Sequence, residues 1–340
     1  MSTFLLYFLP FLIASIASLC LVPLLRSIFV FDKRKSLAFL NLWYRLGGVA
    51  IVLGFLIAFL FNRSLVFDGP KIGILIVGIL ILIFGLLDDY FNFPAWPQFI
   101  FQILVAIIIL FFGFSVDFLT NPFGQALNLN AINFEIFGHA LSLWGSLIIV
   151  GWVILIMNAF NWLDGVDGLA GGVGVIGFLA LFVLSISNLV NQPPLGIMSL
   201  IMTGALVGFL IINFPWRGNS NLMMGTSGSM FVGFMLAALS ILSGAKIMTT
   251  FLVLSLPIFD ALWVIWSRFK DKKSIFKKDR RHLHYRLQKS GFSQRKILLF
   301  YYTLTAVLAL LAVFSQTTGK VFGLLAVLVL SAVILFSVKE

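Results

Sequence analysis

The 340-residue sequence is poor in charge, with only 10% of its residues Asp, Glu, Lys or Arg. A soluble globular domain carries about a quarter, so the deficit excludes an ordinary water-exposed surface. There is a single cysteine, Cys20, and it lies in an apolar run. A disulfide framework and a thiolate metal site are thereby excluded, and Cys20 reads as a small buried hydrophobe. Internal repeats, low-complexity tracts and a soluble domain are absent as well. With three histidines and twelve acidic residues, the groups able to hold a metal or move a proton are few enough to weigh one at a time.

What is present is hydrocarbon. Hydrophobic residues make up 61% of the chain and the mean hydropathy is +1.10, which marks an all-α polytopic membrane protein. A bilayer core takes about 20 apolar residues per helix. On that measure about eleven spans are expected, near 4–25, 46–62, 71–87, 98–115, 142–160, 169–188, 194–213, 229–244, 247–267, 297–315 and 321–338. The first run has no basic segment before it, and its first basic residue, Arg26, follows it. That pattern suits a first spanning helix better than a cleaved signal. The whole chain, 1–340, reads as one integral-membrane domain.

Charge sets the expected orientation. With the N-terminus outside and the C-terminus cytoplasmic, the inner loops hold Arg26, Lys33, Arg34, Lys35, Arg45, Arg217 and Lys339 together with the twelve Lys and Arg of 268–296. Of 23 basic residues only Arg63, Lys71, Lys246 and Lys320 then lie outside, a strong positive-inside bias. The net charge of +11 therefore points to anionic headgroups or a polyanion held near them, and away from nucleic acid. The outer loop 116–141 holds Asp117, Glu135 and His139 but no Lys or Arg. No chemistry is expected there, and His139 reads as an interfacial histidine.

Three polar stretches face the same side. "GLLDDYFNFPAWPQ" places Asp88 and Asp89 just after the third span, costly near hydrocarbon unless compensated by a cation; a solvated helix end is the plain alternative. "NAFNWLDGVDGLAGG" spaces Asn158, Asn161, Asp164 and Asp167 every three residues. In a helix that spacing gives one slanting stripe of oxygen donors, suited to a hard cation such as Mg²⁺. In the basic segment 268–296, "KKDRRHLHYRL" sets His282 and His284 among Arg280, Arg281 and Arg286, as donors to a phosphate or as a merely solvated loop. Carboxylates for a metal beside a basic shelf fit phosphoryl transfer with a lipid substrate.

With "RLGGVAI" (45–51), "NFP" (213–215), "LPIFDAL" (256–262) and "DRRHLHYRLQKSGFS" (279–293) added, the chain resembles the polyprenyl-phosphate N-acetylhexosamine-1-phosphate transferases, glycosyltransferase family 4. That superfamily also holds phospho-MurNAc-pentapeptide translocase. "HLHYRL" is closer to the undecaprenyl-phosphate GlcNAc-1-phosphate transferase branch. The resemblance implies eleven spans and a Mg²⁺-dependent (alternatively Mn²⁺-dependent) transfer of a sugar 1-phosphate from a UDP-sugar to undecaprenyl phosphate. The reaction would run at the cytoplasmic face of the bacterial inner membrane, in a homodimer, releasing UMP and initiating envelope glycan synthesis. It implies Asp88 as base toward the lipid phosphate, Asp89 and Asn161 at the metal, and Asp164 and Asp167 at the nucleotide end. Asn158, Arg45, Arg281, His282 and His284 would bind substrate. Two positions depart from the family pattern. Thr226, in "NLMMGTSGSM", stands where a metal-binding Asp is expected, and Gln98 where a basic residue is common. A catalytically impaired paralogue that binds lipid phosphate is the alternative, and a lipid transporter a further one.

Overall fold

The computed structural model describes the chain apart from residues 1–2, 31–43, 120, 122–124, 137–138, 189, 217–221, 244–246, 275–280, 316 and 338–340. Lys33, Arg34, Lys35, Arg217, Lys246, Lys277, Lys278, Arg280 and Lys339 of the charge argument lie outside the described residues.

Backbone groups in hydrocarbon must be satisfied within their own segment, so apolar runs of this length form helices. The described helices are α1 (Thr3–Val30), α2 (Gly47–Leu60), α3 (Gly69–Phe91), α4 (Ala95–Leu110), α5 (Leu143–Leu163), α6 (Leu169–Ile186), α7 (Pro193–Asn213), α8 (Gly225–Leu242), α9 (Ile247–Val253), α10 (Ser255–Lys270), α11 (Leu283–Lys289), α12 (Gln294–Phe314) and α13 (Thr317–Ser337). Among the described residues seven helices are long and apolar enough to cross a membrane, or eight if α9 and α10 form one bent span. Gly47–Leu60, Ala95–Leu110 and part of α13 are shorter apolar helices. The protein is an all-α polytopic membrane protein.

Its centre is α8, which packs against α2, α3, α5, α6, α7 and α9. Every residue from Gly225 to Ile241 is buried, and its Gly, Ser and Ala positions let neighbouring backbones approach closely, the usual basis of helix packing in membranes. Around it, α1 lies on α7 and α2, α6 on α7 and α12, and α10 on α5 and α13. Between α9 and α10 the chain bends by 79°. Pro257 explains the break, since it has no N–H for the carbonyl of Val253. At the end away from the acids, Asp68 caps α3 by accepting from the Lys71 N–H at 3.1 Å. Two short antiparallel pairs, Phe118–Leu119 with Leu127–Asn128 and Asn133–Ile136 with His139–Ser142, occupy the same end.

Three local expectations are corrected. Cys20 is exposed on α1, since a thiol is apolar enough to face hydrocarbon as readily as protein. The aspartate pair lies inside the last turn of α3, not beyond it. The stripe of oxygen donors is helical only for Asn158 and Asn161. The helix ends at Leu163, and Asp164 and Asp167 fall in a turn whose Gly168 has φ +82°, a conformation glycine adopts without strain.

Candidate active site at one end of the bundle

The site forms where the last turn of α3 meets the first turn of α8. Gly85 and Gly48 make the approach possible: a Cβ on Gly85 would sit 2.3 Å from Ser227 Cα, and one on Gly48 2.2 Å from the Gly228 nitrogen. The segment leading into α2 is tied to the same place, because the Met223 N–H donates to Tyr44 O at 2.5 Å and the Gly47 N–H to Met223 O at 3.1 Å. The stretch at 225–229, open and loop-like by composition, is therefore a buried helical turn. Gly225 enters it at φ +73° with Asp89 Oδ2 only 2.6 Å from where a Cβ would be.

The aspartate pair divides its partners by the 100° step between successive helical residues. Asp89, fully buried, accepts from the Thr226 N–H at 3.0 and 3.1 Å and from Arg45 Nη1 at 3.3 Å. It thus sits on the positive end of α8. Asp88 accepts from the Thr226 hydroxyl at 2.6 Å and from Gln98 Nε2 at 2.9 Å. Gln98 Oε1 accepts from Asn161 Nδ2 at 3.4 Å, and Ser229 Oγ donates to Asn161 Oδ1 at 3.0 Å. Thr226, Asp88, Gln98, Asn161 and Ser229 are thus linked in one chain of hydrogen bonds.

The turn after α5 closes the acid side. Asp164 accepts a hydrogen bond from the Gly225 N–H, and burial, then the charges of Asp89 and Asp167, push its carboxyl well above the usual carboxylate range. The turn is fixed from outside: the Gly168 N–H donates to Asn213 Oδ1 at 2.7 Å, Tyr302 OH to Gly168 O at 2.5 Å, and Gln294 Nε2 to Asp167 O at 3.3 Å. Across the turn lies the His-x-His segment. Asp260 accepts from His282 Nδ1 at 3.0 Å and from the Leu283 N–H at 2.8 Å. His284 is parallel to His282, rings 5.8 Å apart, with its Nε2 packed over Gly165. Burial holds the His284 imidazole down near pKa 4, so at neutral pH it is uncharged.

The sequence profile of glycosyl transferase family 4 matches residues 71–244, which hold the aspartate pair, the turn at 164–168 and the start of α8. The chain belongs to glycosyl transferase family 4. It is 29% identical over 275 residues to the probable undecaprenyl-phosphate N-acetylglucosaminyl 1-phosphate transferase of Bacillus subtilis, covering 79% of this chain and 72% of that protein. It is 29% identical over 295 residues to the decaprenyl-phosphate N-acetylglucosaminephosphotransferase of Mycobacterium leprae, covering 78% and 71%. Against the phospho-N-acetylmuramoyl-pentapeptide-transferase of Staphylococcus epidermidis the identity is 29% over 274 residues, covering 77% and 80%.

In this family 4 chain Asp88, Asp89, Asn161, Asp164 and Arg45 come together, with Asp167 beside them and His282 and His284 across the turn. Two expected substrate residues are engaged elsewhere. Asn158 lies a turn deeper, donating to Gln102 Oε1 at 2.5 Å and to Ile154 O at 2.9 Å. Arg281 donates to Asp271 Oδ2 at 2.6 Å and to Ser267 Oγ at 2.8 Å. Ser229, Asn213 and Asp260 belong to the site but are given no role by the sequence alone, and Gln98 stands out there only as a departure from the family pattern. For Asp260 the signal was available, as a carboxylate inside an apolar run is a functional residue by default.

Among the described residues no three His, Cys, Asp or Glu side chains surround one ion position, so the site is no closed metal cage. Mg²⁺ seldom needs one, since one or two carboxylates and substrate phosphate oxygens commonly suffice. The upward push on Asp164 by Asp89 and Asp167 marks crowded negative charge that a divalent cation would relieve. The oxygen donors present fit such a cation.

Proposed function

We propose that the protein transfers an N-acetylhexosamine 1-phosphate from a UDP-sugar to undecaprenyl phosphate and releases UMP, so starting an envelope glycan. A phosphate oxygen of the lipid bonds to the sugar-linked phosphorus while the bond from that phosphorus to UMP breaks. The observation that carries this reading is the meeting of three carboxylates, Asp88, Asp89 and Asp164, at the first turn of α8. The positive-inside bias supports eleven spans with the N-terminus outside and this end of the bundle in the cytoplasm. A homodimer in the bacterial inner membrane completes the reading.

Asp89 and Asp164, with Asn161, would hold Mg²⁺. When bound, the ion supplies charge neutralisation at the diphosphate and at the departing UMP. Asp88, oriented by Thr226 and Gln98, takes the proton of the lipid phosphate, each of its oxygens keeping a second lone pair. Arg45 steadies Asp89 and stands ready for a phosphate. His282 and His284 bind the sugar or diphosphate end. The impaired-paralogue reading rests on one contact, the Thr226 hydroxyl on Asp88, which puts a neutral donor where the family pattern has a carboxylate. Assaying UMP release with Mg²⁺, undecaprenyl phosphate and a panel of UDP-sugars tests both. Release with one donor supports the transferase; no release from wild type, with release from Thr226→Asp, supports the impaired form.

A further inference from the structure

Asp260 occupies an unusual place. It is buried in α10, and both its oxygens are used by consecutive residues of another segment, His282 and Leu283. The Leu283 N–H is one of the unpaired donors at the start of α11, where His282 itself makes no side-chain cap. The second oxygen meets His282 Nδ1. A carboxylate only accepts, so that nitrogen carries the proton, and in the neutral imidazole the other ring nitrogen is then an acceptor. Trp162 lies 5.4 Å from the ring, centroid to centroid, and His284 is parallel to it at 5.8 Å. Trp162 follows Asn161 in α5, and His284 packs over Gly165, next to Asp164. The Asp260–His282 pair is thereby set beside the turn that carries the acids.

We propose that Asp260 is a positioning residue, which fixes His282 with its proton on Nδ1 and presents Nε2 as a hydrogen-bond acceptor for an O–H group of the substrate. That chemistry has two sources in the reaction proposed above, on which this inference rests: a hydroxyl of the UDP-sugar, with Asp88 keeping the lipid phosphate's proton, or the P–O–H of a singly ionised lipid phosphate, whose one proton then faces His282 in place of Asp88. A purely mechanical role, tying α11 to α10, would need both hydrogen bonds but would be indifferent to which ring nitrogen holds the proton.

Asp260→Asn separates the two. Its carbonyl oxygen still accepts from the Leu283 N–H, while its amide donates to Nδ1, so both bonds survive with the ring proton moved to Nε2. The chain has only three histidines, so ¹⁵N NMR of the histidine-labelled protein at pH 8 reads the His282 tautomer directly. Wild type is expected to show a protonated Nδ1 and Asp260→Asn a protonated Nε2. With the same variant, kcat/KM for UMP release is expected to fall about 10- to 100-fold, the scale known for losing the outer partner of a metal-bound histidine. A rise in KM for the UDP-sugar alone identifies the sugar hydroxyl as the partner, and a rise for the polyprenyl phosphate alone identifies the P–O–H. Asp260→Glu, which keeps the carboxylate, is expected to recover part of the loss. An unprotonated Nδ1 in wild type overturns the inference, as does a changed tautomer with unchanged kinetics. If Asp260→Asn does not fold, the wild-type spectrum decides. Failure of wild type to release UMP from any donor would count against the proposed reaction and leave the tautomer measurement intact.

Discussion

Replacing Thr226 by Asp puts a second carboxylate where a hydroxyl now donates to Asp88 at 2.6 Å. Two costs follow. A hydrogen bond to a charged group, worth about 1.5–3 kcal/mol, is lost. Two like charges about 4 Å apart then repel by roughly 4 kcal/mol at the effective dielectric near 20 that suits protein sites. In EDTA the variant should therefore unfold at a clearly lower temperature than wild type. A divalent cation between the two carboxylates removes the repulsion, and at about 1,000 times its Kd a bound ion returns about 4 kcal/mol. Mg²⁺ is thus expected to restore most of the variant's stability while shifting wild type little in the absence of UDP-sugar. The new carboxyl can also escape by taking a proton and donating as the hydroxyl did, so the deficit in EDTA should be larger at pH 8 than at pH 6. The assay is thermal unfolding of detergent-solubilised protein in EDTA or Mg²⁺ at both pH values. A Thr226→Asp protein as stable as wild type in EDTA at pH 8 would refute the reasoning.

Gly85→Ala should cost more than the roughly 1–3 kcal/mol of ordinary overpacking, because its Cβ would meet the Ser227 backbone at 2.3 Å. Gly151→Ala in α5, where nothing lies within 4 Å, should be neutral or up to about 1 kcal/mol stabilising, and paired melting curves check the contrast. His284 titrates near 4 in the folded protein and near 6.5 unfolded, so between those values the unfolded chain binds more protons. Stability is then lost as pH falls from 6.5 toward 4, by at most about 3 kcal/mol for this group; His284→Phe should flatten that part of an unfolding-versus-pH curve. Asp68→Ala removes the cap of α3 and its Lys71 pair at the opposite end of the bundle. It should cost about 1 kcal/mol and leave the turnover of UMP release within twofold.

The membrane class and the placing of helices were legible because burial in hydrocarbon leaves a long, one-dimensional mark on composition. Asp88, Asp89, Asp164 and the two histidines could be picked out as candidates because titratable side chains are few in so apolar a chain. What composition could not show is which neutral groups bind them. Asn158 and Asn161 share a spacing and a residue type, yet one pairs with Gln102 and the other with Gln98 and Ser229, a division set by how α4 and α8 cross α5. Thr226 and Gln98, 128 positions apart in the chain, looked like two separate departures from a pattern. The fold brings both onto one carboxylate, with Thr226 on Asp88 Oδ2 and Gln98 on Asp88 Oδ1. An acid at 226 together with a base at 98 would contribute no net charge there, and neither does a hydroxyl together with an amide. The two positions where the resemblance expects an acid and a base thus bear on the same carboxylate, each with a neutral donor. Thr226 and Gln98 therefore act on Asp88 as one pair, and the outcome of Thr226→Asp is set with Gln98 in place.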